Sequence, residues 1–403
     1  MRFLFPLVAG LLIAGCAPRV IPPARPAPPV ARPRPAPVIA QPPPRPMLTR
    51  PVPQRAPLPS LPAIEGRAPA RAAEAGLRPG PTVSDLAIAP AVAARALTAF
   101  RISCSAVTRR TDSTGLTRPS DWTNACAAAR SWSGGDAATF FATWFETVEV
   151  GDGAAFATGY YEPSIRGCRT RMPGCEVPIY GRPPDLRKPS FTRAQIEEGA
   201  LSGRGLEIAW AADPIDLFFL QIQGSGRVNL PDGSEMRIGY AEQNGHRYVP
   251  IGRLLRERGI LAADNISLQT IQAWLRANPE EGRALMRENP SYVFFRELTG
   301  PGPLGSLGLP VTPRGTVAVD PAYVTYGAPV LLAQMSDGRA DGLWVAQDTG
   351  GAIRGANRFD TFWGAGAEAA AIAGGMQARG RSLLLLPRGT LERLSAANAP
   401  AQR

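Results

Sequence analysis

The stretch from Val317 to Glu368 decides the fold. Val317-Ala318-Val319 ends on Asp320. Leu343-Trp344-Val345-Ala346-Gln347 runs into Asp348, which opens Asp348-Thr349-Gly350-Gly351-Ala352-Ile353. Asp360 sits inside Asn357-Arg358-Phe359-Asp360-Thr361-Phe362-Trp363-Gly364-Ala365-Gly366. Short apolar runs punctuated by glycine read as strands and tight turns. Three carboxylates at strand ends, beside glycines and aromatic rings, are how a small β-barrel presents acid chemistry to a groove. The chain of 403 residues holds one histidine, His246. A carboxylate is therefore the expected acid or base in any catalytic reading.

The amino terminus is a targeting segment rather than part of the fold. Arg2 supplies a positive end, residues 3–13 form an apolar run too short to span a bilayer, and Ile13-Ala14-Gly15 lead into Cys16. Small residues before a cysteine look like a bacterial lipobox, with Cys16 as the lipidated first residue of the mature protein. Ala17 follows, with no aspartate to favour inner-membrane retention. An outer-membrane lipoprotein facing the periplasm is expected.

Residues 17–82 contain 21 of the chain's 43 prolines and ten arginines against two acids, Glu65 and Glu74. This segment carries a net +8 of the formal +11, and the remainder beyond Arg2 is near +2. The basic excess therefore belongs to a tether and indicates no groove for nucleic acid. Such a composition cannot bury a core. As a polyproline-II spacer, at about 3.1 Å per residue, it would reach roughly 200 Å.

Removing Cys16 from the five cysteines leaves Cys104, Cys126, Cys168 and Cys175. An even count in an exported chain points to disulfides. Three pairings are open, and the local one is expected: Cys168–Cys175 clasping a hairpin, with Cys104–Cys126 between neighbouring helices. There is no close cysteine pair and no histidine cluster, so no metal site and no cofactor are expected.

Beyond the tether, residues 83–155 read as helices and the start of a barrel. Ser84 and Asp85 offer caps for a first helix, a second follows Pro119-Ser120-Asp121, and a third runs from Asp136 through Phe145. Residues 156–311 read as an inserted β-rich substrate domain. Its strands are expected at 156–161, 177–180, 216–223, 236–241 and 292–297. Thr192-Arg193-Ala194-Gln195 has the form of a capping box, and helices are expected at 249–258, 267–277 and 280–288. Residues 312–390 return to a barrel, with strands at 315–319, 329–332, 343–347 and 382–386. Residues 391–403 read as a flexible tail. The fold class is mainly β with some helices, with a groove between two β-rich domains suited to a long polymer.

Four motifs now stand in order: Gly159-Tyr160-Tyr161-Glu162-Pro163, Phe218-Phe219-Leu220-Gln221-Ile222-Gln223-Gly224-Ser225-Gly226, Asn289-Pro290-Ser291-Tyr292-Val293-Phe294-Phe295, and the segment with Asp348, Gly350, Gly351, Ile353, Gly355, Phe359 and Asp360. Together, over roughly residues 83–390, they resemble the membrane-bound lytic murein transglycosylase A family. The resemblance implies a double-psi β-barrel domain with a second β-barrel-like domain inserted into it. It implies cleavage of the β-1,4 bond between N-acetylmuramic acid and N-acetylglucosamine in peptidoglycan glycan strands, by a carbon–oxygen lyase of the exotransglycosylase kind. The muramic 6-hydroxyl attacks its own anomeric carbon and leaves a 1,6-anhydro end.

The residue types allow that chemistry independently. Glycosidases ordinarily use two carboxylates. An acceptor already tethered to the reacting sugar relaxes that need. By match to the motif, Asp360 is the single acid and base, with Phe359, Phe362 and Trp363 supplying apolar surface that raises its pKa. Asp348 is expected to orient it, and Asp320 to bond loop amides. Tyr160, Tyr161, Gln221, Gln223 and Ser225 are candidates to grip sugar, with Phe359 covering a sugar face. Gln221 and Gln223 would share one face of a strand. Gly224, Gly350 and Gly351 are expected to let backbone approach the ligand or to make turns. Glu162 is expected at the surface.

A two-carboxylate muramidase and a non-catalytic glycan-binding lipoprotein are the competing readings. An aspartic protease would need a second Asp-Thr-Gly, which the chain lacks and only a symmetric dimer would supply. The expected partners are glycan strands, the outer membrane through the lipid anchor, and cell-wall synthesis proteins, with the chain acting as a monomer.

Overall fold

The computed structural model describes residues 69–133, 136–262 and 265–398. Cys16 and residues 17–68 of the expected tether lie outside the described residues. Strand β1 (Leu77–Pro79) is followed by helices α1 (Pro90–Val107), α2 (Thr123–Ser131) and α3 (Ala137–Trp144), then by strands β2 (Phe145–Val150) and β3 (Ala154–Glu162). The middle of the chain holds β4 (Ser164–Cys168), β5 (Val177–Tyr180), the single turn α4 (Arg193–Gln195), β6 (Glu207–Ala211), α5 (Pro214–Gln223), β7 (Ser225–Asn229), β8 (Glu235–Gln243), α6 (Ile251–Glu257), α7 (Leu268–Ala277), α8 (Pro279–Arg287) and β9 (Val293–Glu297). The last part holds β10 (Thr316–Val319), β11 (Pro329–Ala333), β12 (Gly342–Asp348), β13 (Arg358–Ala365), α9 (Ala367–Gly375), β14 (Gln377–Pro387) and α10 (Thr390–Asn398).

Six strands close on themselves in the order β3, β14, β11, β12, β10, β13 and back to β3. Closure removes the free edges that an open sheet would leave. β10 pairs with β12 and β13 with β3 in parallel, while the other pairs of the ring are antiparallel. β2 joins the ring along β14, and β1 pairs with β2. β10 is buried along its whole length, as are residues Gly342–Gln347 of β12, which explains why these runs are apolar without alternation. A second sheet runs in the order β5, β6, β4, β7, β8, β9.

Against the ring packs an aromatic cluster in which Phe100 of α1 meets Phe145 edge-on at 5.3 Å between ring centroids. The Cys104–Cys126 disulfide fixes α1 to α2 there, and Cys168–Cys175 closes the hairpin after β4. Cys104 and Cys126 are 22 residues apart, a loop whose closure entropy is worth about 3 kcal/mol in the unfolded chain. Replacing both by serine is expected to cost about that much, read as a lower midpoint in denaturant titration.

Several expectations need correction. Residues 216–223 form a helix, not a strand. Asp213 accepts from the backbone N–H groups of Ile215 and Asp216, Pro214 takes the first helical turn, and Gly224 ends the helix in the left-handed region at φ 77°. Gln221 and Gln223 therefore share no strand face. The third helix stops at Trp144, because Phe145 is extended and already pairs with Pro387. α1 starts at Pro90, and Ser84 and Asp85 lie instead in a separate short turn. The tether boundary at residue 82 is too late, since Leu77–Pro79 pairs with β2. The tail boundary at 391 is too early. Leu391 donates its N–H to Glu146 and Arg393 bonds Asp121 and the Leu116 carbonyl, so α10 is fastened to the fold.

Candidate active site

β13 and β3 run side by side in a register that sets Asp360 opposite Thr158, and β10 sets Ala318 on its other side. Along β13, Phe359 and Thr361 turn into the core while Asp360 takes the other face and keeps some solvent contact. The Thr158 hydroxyl donates to Asp360 Oδ1 at 2.6 Å. Burial is the largest influence on Asp360 and raises its pKa to about 6. The Thr158 hydrogen bond and the Arg358 charge pull it down, and the Asp348 charge pushes it up. A carboxyl group with such a pKa holds its proton far nearer neutrality than an ordinary aspartate.

Asp348 ends β12 beside it. Its Oδ1 accepts the backbone N–H groups of Ser306 at 2.9 Å and Thr349 at 2.8 Å, and its Oδ2 accepts the Tyr160 hydroxyl at 3.1 Å. Burial raises its pKa against these hydrogen bonds. Asp320 is turned to a different task. Its oxygens accept from Ala322 N–H at 3.0 Å and Gly355 N–H at 2.8 Å, which ties the turn after Gly350 to the end of β10. The Thr349 hydroxyl reaches the Val319 carbonyl at 2.8 Å and fastens the same turn.

The residues that match known family models fall on these two parts of the fold. Residues 156–296 match the MltA specific insert domain, and residues 315–386 match the 3D domain. A membrane-bound lytic murein transglycosylase A of Vibrio cholerae is 36% identical over 262 residues, covering 61% of this chain and 70% of that protein. The chain belongs to the membrane-bound lytic murein transglycosylase A family. The Escherichia coli K12 relative of the same name is 38% identical over 240 residues, and the chain spans 64% of its length. Among solved structures, a membrane-bound lytic murein transglycosylase from Agrobacterium tumefaciens aligns with a TM-score of 0.67 at 32% identity, covering 75% of this chain and 95% of that one. An E. coli MltA structure with bound chitohexaose aligns with a TM-score of 0.61 at 29% identity, covering 74% and 90%.

Within this family fold the expected sugar-gripping residues divide. Tyr160 reaches the aspartates, with its ring 4.9 Å from that of Phe362. Tyr161 is largely buried, and its N–H donates to Gln223 Oε1 at 3.1 Å, so Gln223 braces β3. Gln221 is buried against Tyr292. Ser225 opens β7. Gly224 is required by its positive φ alone, because a Cβ there would meet nothing. Phe359 is 1% exposed and cannot cover a sugar face. Gly350 packs tightly on Ile353, and Gly351 lies exposed across from Tyr248.

Glu162 is not a surface residue. It is 2% exposed at the end of β3, and Arg227 of β7 donates to its Oε2 at 2.8 Å. His246 is held by the Ser190 carbonyl at 2.7 Å.

Five residues near the aspartates were not singled out from the sequence: Thr158, Arg358, Tyr248, Ser306 and Tyr326. Tyr248 is pushed up to about 12, mainly by burial, with Asp360 adding to the rise and Arg193 opposing it. Its loop is fixed by the Asn289–Phe295 motif. Asn289 Oδ1 accepts the Val249 N–H at 3.1 Å. Arg193 donates to the Asn289 and Ser291 carbonyls while its guanidinium lies 4.6 Å from the Phe218 ring centroid and 5.3 Å from that of Tyr292. The signal that could have found Tyr248 was a lone tyrosine beside the Asn244-Gly245 turn, which is weak by itself. Ser306 donates its hydroxyl to Tyr326 at 3.1 Å and its N–H to Asp348, linking the glycine- and proline-rich crossing segment 301–313, between β9 and β10, to the site.

Proposed function

We propose that this chain cleaves the β-1,4 bond between N-acetylmuramic acid and N-acetylglucosamine in peptidoglycan and leaves a 1,6-anhydromuramic end. The observation that carries the reading is the unequal state of the two neighbouring carboxyl groups. Asp360 has a pKa near 6 and one hydrogen bond donor on Oδ1. Asp348 has its oxygens engaged by three donors. Asp348 is thus occupied as an orienting group, and among the described residues no free second carboxylate stands beside Asp360 to act as a glycosidase nucleophile. One proton carrier and an internal acceptor suit transglycosylation better than two-carboxylate hydrolysis.

In this reading protonated Asp360 gives its proton to the glycosidic oxygen as the anomeric C–O bond breaks, and that oxygen keeps the bonding pair. The resulting oxocarbenium character is met by the Asp360 carboxylate. The muramic 6-hydroxyl then bonds to the anomeric carbon and returns its proton to Asp360, and no water is consumed. Tyr160, whose hydroxyl donates to Asp348, and Tyr248 are the tyrosines that feel the Asp360 charge. The chitohexaose bound by the E. coli relative supports a β-1,4-linked amino-sugar strand as the ligand class.

The relatives' name supports membrane association. Among the described residues no helix is long and apolar enough to cross a membrane. The small residues Ala14 and Gly15 before Cys16 support attachment through a lipid on Cys16, with the domain on the periplasmic side of the outer membrane. The test is digestion of purified sacculi followed by mass analysis. Soluble muropeptides one water lighter than hydrolysis products are expected. Reducing ends would mark a muramidase instead, and sacculus binding without release would mark a glycan-binding protein.

A further inference from the structure

Arg358 and Thr158 form a hydrogen-bonded relay onto one oxygen of Asp360 that its role as acid does not by itself require. Arg358 lies two residues before Asp360 on β13, and side chains two apart on a strand share a face. Thr158 Oγ1 is 2.6 Å from Asp360 Oδ1 and 3.0 Å from an Arg358 terminal nitrogen. A guanidinium can only donate. Arg358 therefore donates to Thr158 Oγ1, and the single hydroxyl proton is left for Asp360 Oδ1. Arg358 is itself fixed. Its other terminal nitrogen donates to the Phe359 carbonyl, and it lies 4.9 Å from the centroid of the Phe156 ring, which Arg379 of β14 also approaches at 4.8 Å.

Oδ1 thus accepts a hydrogen bond in both protonation states. We propose that Arg358, acting through Thr158, confines the transferable proton of Asp360 to Oδ2, so that one oxygen both releases and recovers it. This rests on the transglycosylase reading above. Oδ2–H gives its proton to the glycosidic oxygen as the anomeric bond breaks. The proton of the 6-hydroxyl comes back to the same Oδ2 as the new C–O bond forms. Were the Thr158 hydroxyl free to rotate, it could accept from a proton on Oδ1, and part of the acid would carry its proton on the oxygen turned toward β3. The other groups facing Asp360 are Asp348 from β12, Tyr160 from β3 and Tyr248 from its loop. None of them reaches Thr158 Oγ1 by a hydrogen bond in the structure, so Arg358 is the group that sets the hydroxyl's direction.

The test uses the full chain with Thr158→Val, Thr158→Ser, Arg358→Gln and the Thr158→Val/Arg358→Gln pair, with melting curves to establish folding. It reads kcat, KM and the pH profile of anhydro-muropeptide release, and the carboxyl-carbon NMR titration of Asp360 without substrate. Thr158→Val and Arg358→Gln are each expected to lower kcat roughly tenfold at unchanged KM. Both should move the NMR midpoint and the alkaline limb to higher pH, because each removes a group that stabilises the carboxylate. Thr158→Ser keeps the hydroxyl and should stay within about twofold of wild type. Since Arg358 acts through Thr158, the double variant should be about as slow as Thr158→Val alone.

Wild-type kcat and midpoint in Thr158→Val, or a double variant whose loss is the product of the single losses, would overturn the proposal. If Thr158→Val does not fold, Arg358→Gln against Arg358→Lys makes the same comparison, with Lys expected to retain the higher activity. A wild-type protein that releases no anhydro ends faults the reaction reading. The NMR midpoints still report on Thr158 and Arg358 in that case.

Discussion

Asp360→Asn is expected to lower anhydro-muropeptide release by about a thousandfold, roughly 4 kcal/mol of transition-state stabilisation, because one side chain serves both proton transfers. Asparagine keeps the shape and can still accept the Thr158 hydroxyl. Binding to sacculi should persist, and the loss should appear in kcat. The same substitution should raise stability, and its sign follows from the pKa. The folded value of about 6 lies above the ordinary 3.8. The protonated carboxyl therefore favours the folded state, fully so below 3.8, and that contribution is lost as pH rises through about 6. At mildly alkaline pH the wild type holds an ionised carboxylate in a desolvated place, and asparagine relieves this. A gain of about 3 kcal/mol over wild type is expected there, shrinking toward zero in acid. Thermal melting at the two pH values checks it. A variant that lost activity through general damage would melt lower at both.

Asp360 was picked out by its match to the family motif, before the ring of strands was known. The rings beside it in sequence divide in the structure: Phe362, which packs on Tyr160, shares its strand face, while Phe359 turns into the core. The barrel strands β10, β11 and β12 were legible because burial on both faces leaves continuous apolar runs. β13 escaped notice because Arg358, Asp360 and Thr361 interrupt its apolar residues and glycines follow it, so it looks like a turn between strands. The helix at 214–223 was misread because Phe218, Phe219 and Ile222 have strand propensity, while the deciding signals, Asp213 and Pro214 at one end and Gly224 at the other, lie outside the apolar run. Glu162 was misplaced because its partner Arg227 comes from a strand brought beside it only by folding. Thr158 and Arg358 could not be assigned from sequence at all. Their meaning comes from the parallel register of β3 on β13, which joins residues about two hundred positions apart.

Asp348→Asn should also be severe, and it separates electrostatics from simple loss of shape. The wild-type carboxylate accepts from Ser306, Thr349 and Tyr160, so it offers acceptors and no donors. An asparagine amide must turn its NH2 toward at least one of these, and an unpaired buried donor costs about 1–3 kcal/mol. If Tyr160 is the group displaced, its hydroxyl leaves the site. If Ser306 is displaced, the crossing segment loses its anchor. A fall in kcat of about thirtyfold to a hundredfold is expected, equivalent to roughly 2–3 kcal/mol. The charge argument gives a second and independent sign. Asp348 pushes the Asp360 pKa up, so removing its charge lets that pKa fall. The alkaline limb of the pH profile should then move to lower pH, opposite to the direction expected for Thr158→Val and Arg358→Gln. General loosening of the site would admit water and move the limb the same way in all three variants. Opposite movements, measured in one buffer series, would require that Asp348 and the Arg358–Thr158 pair pull on the Asp360 proton from opposite sides.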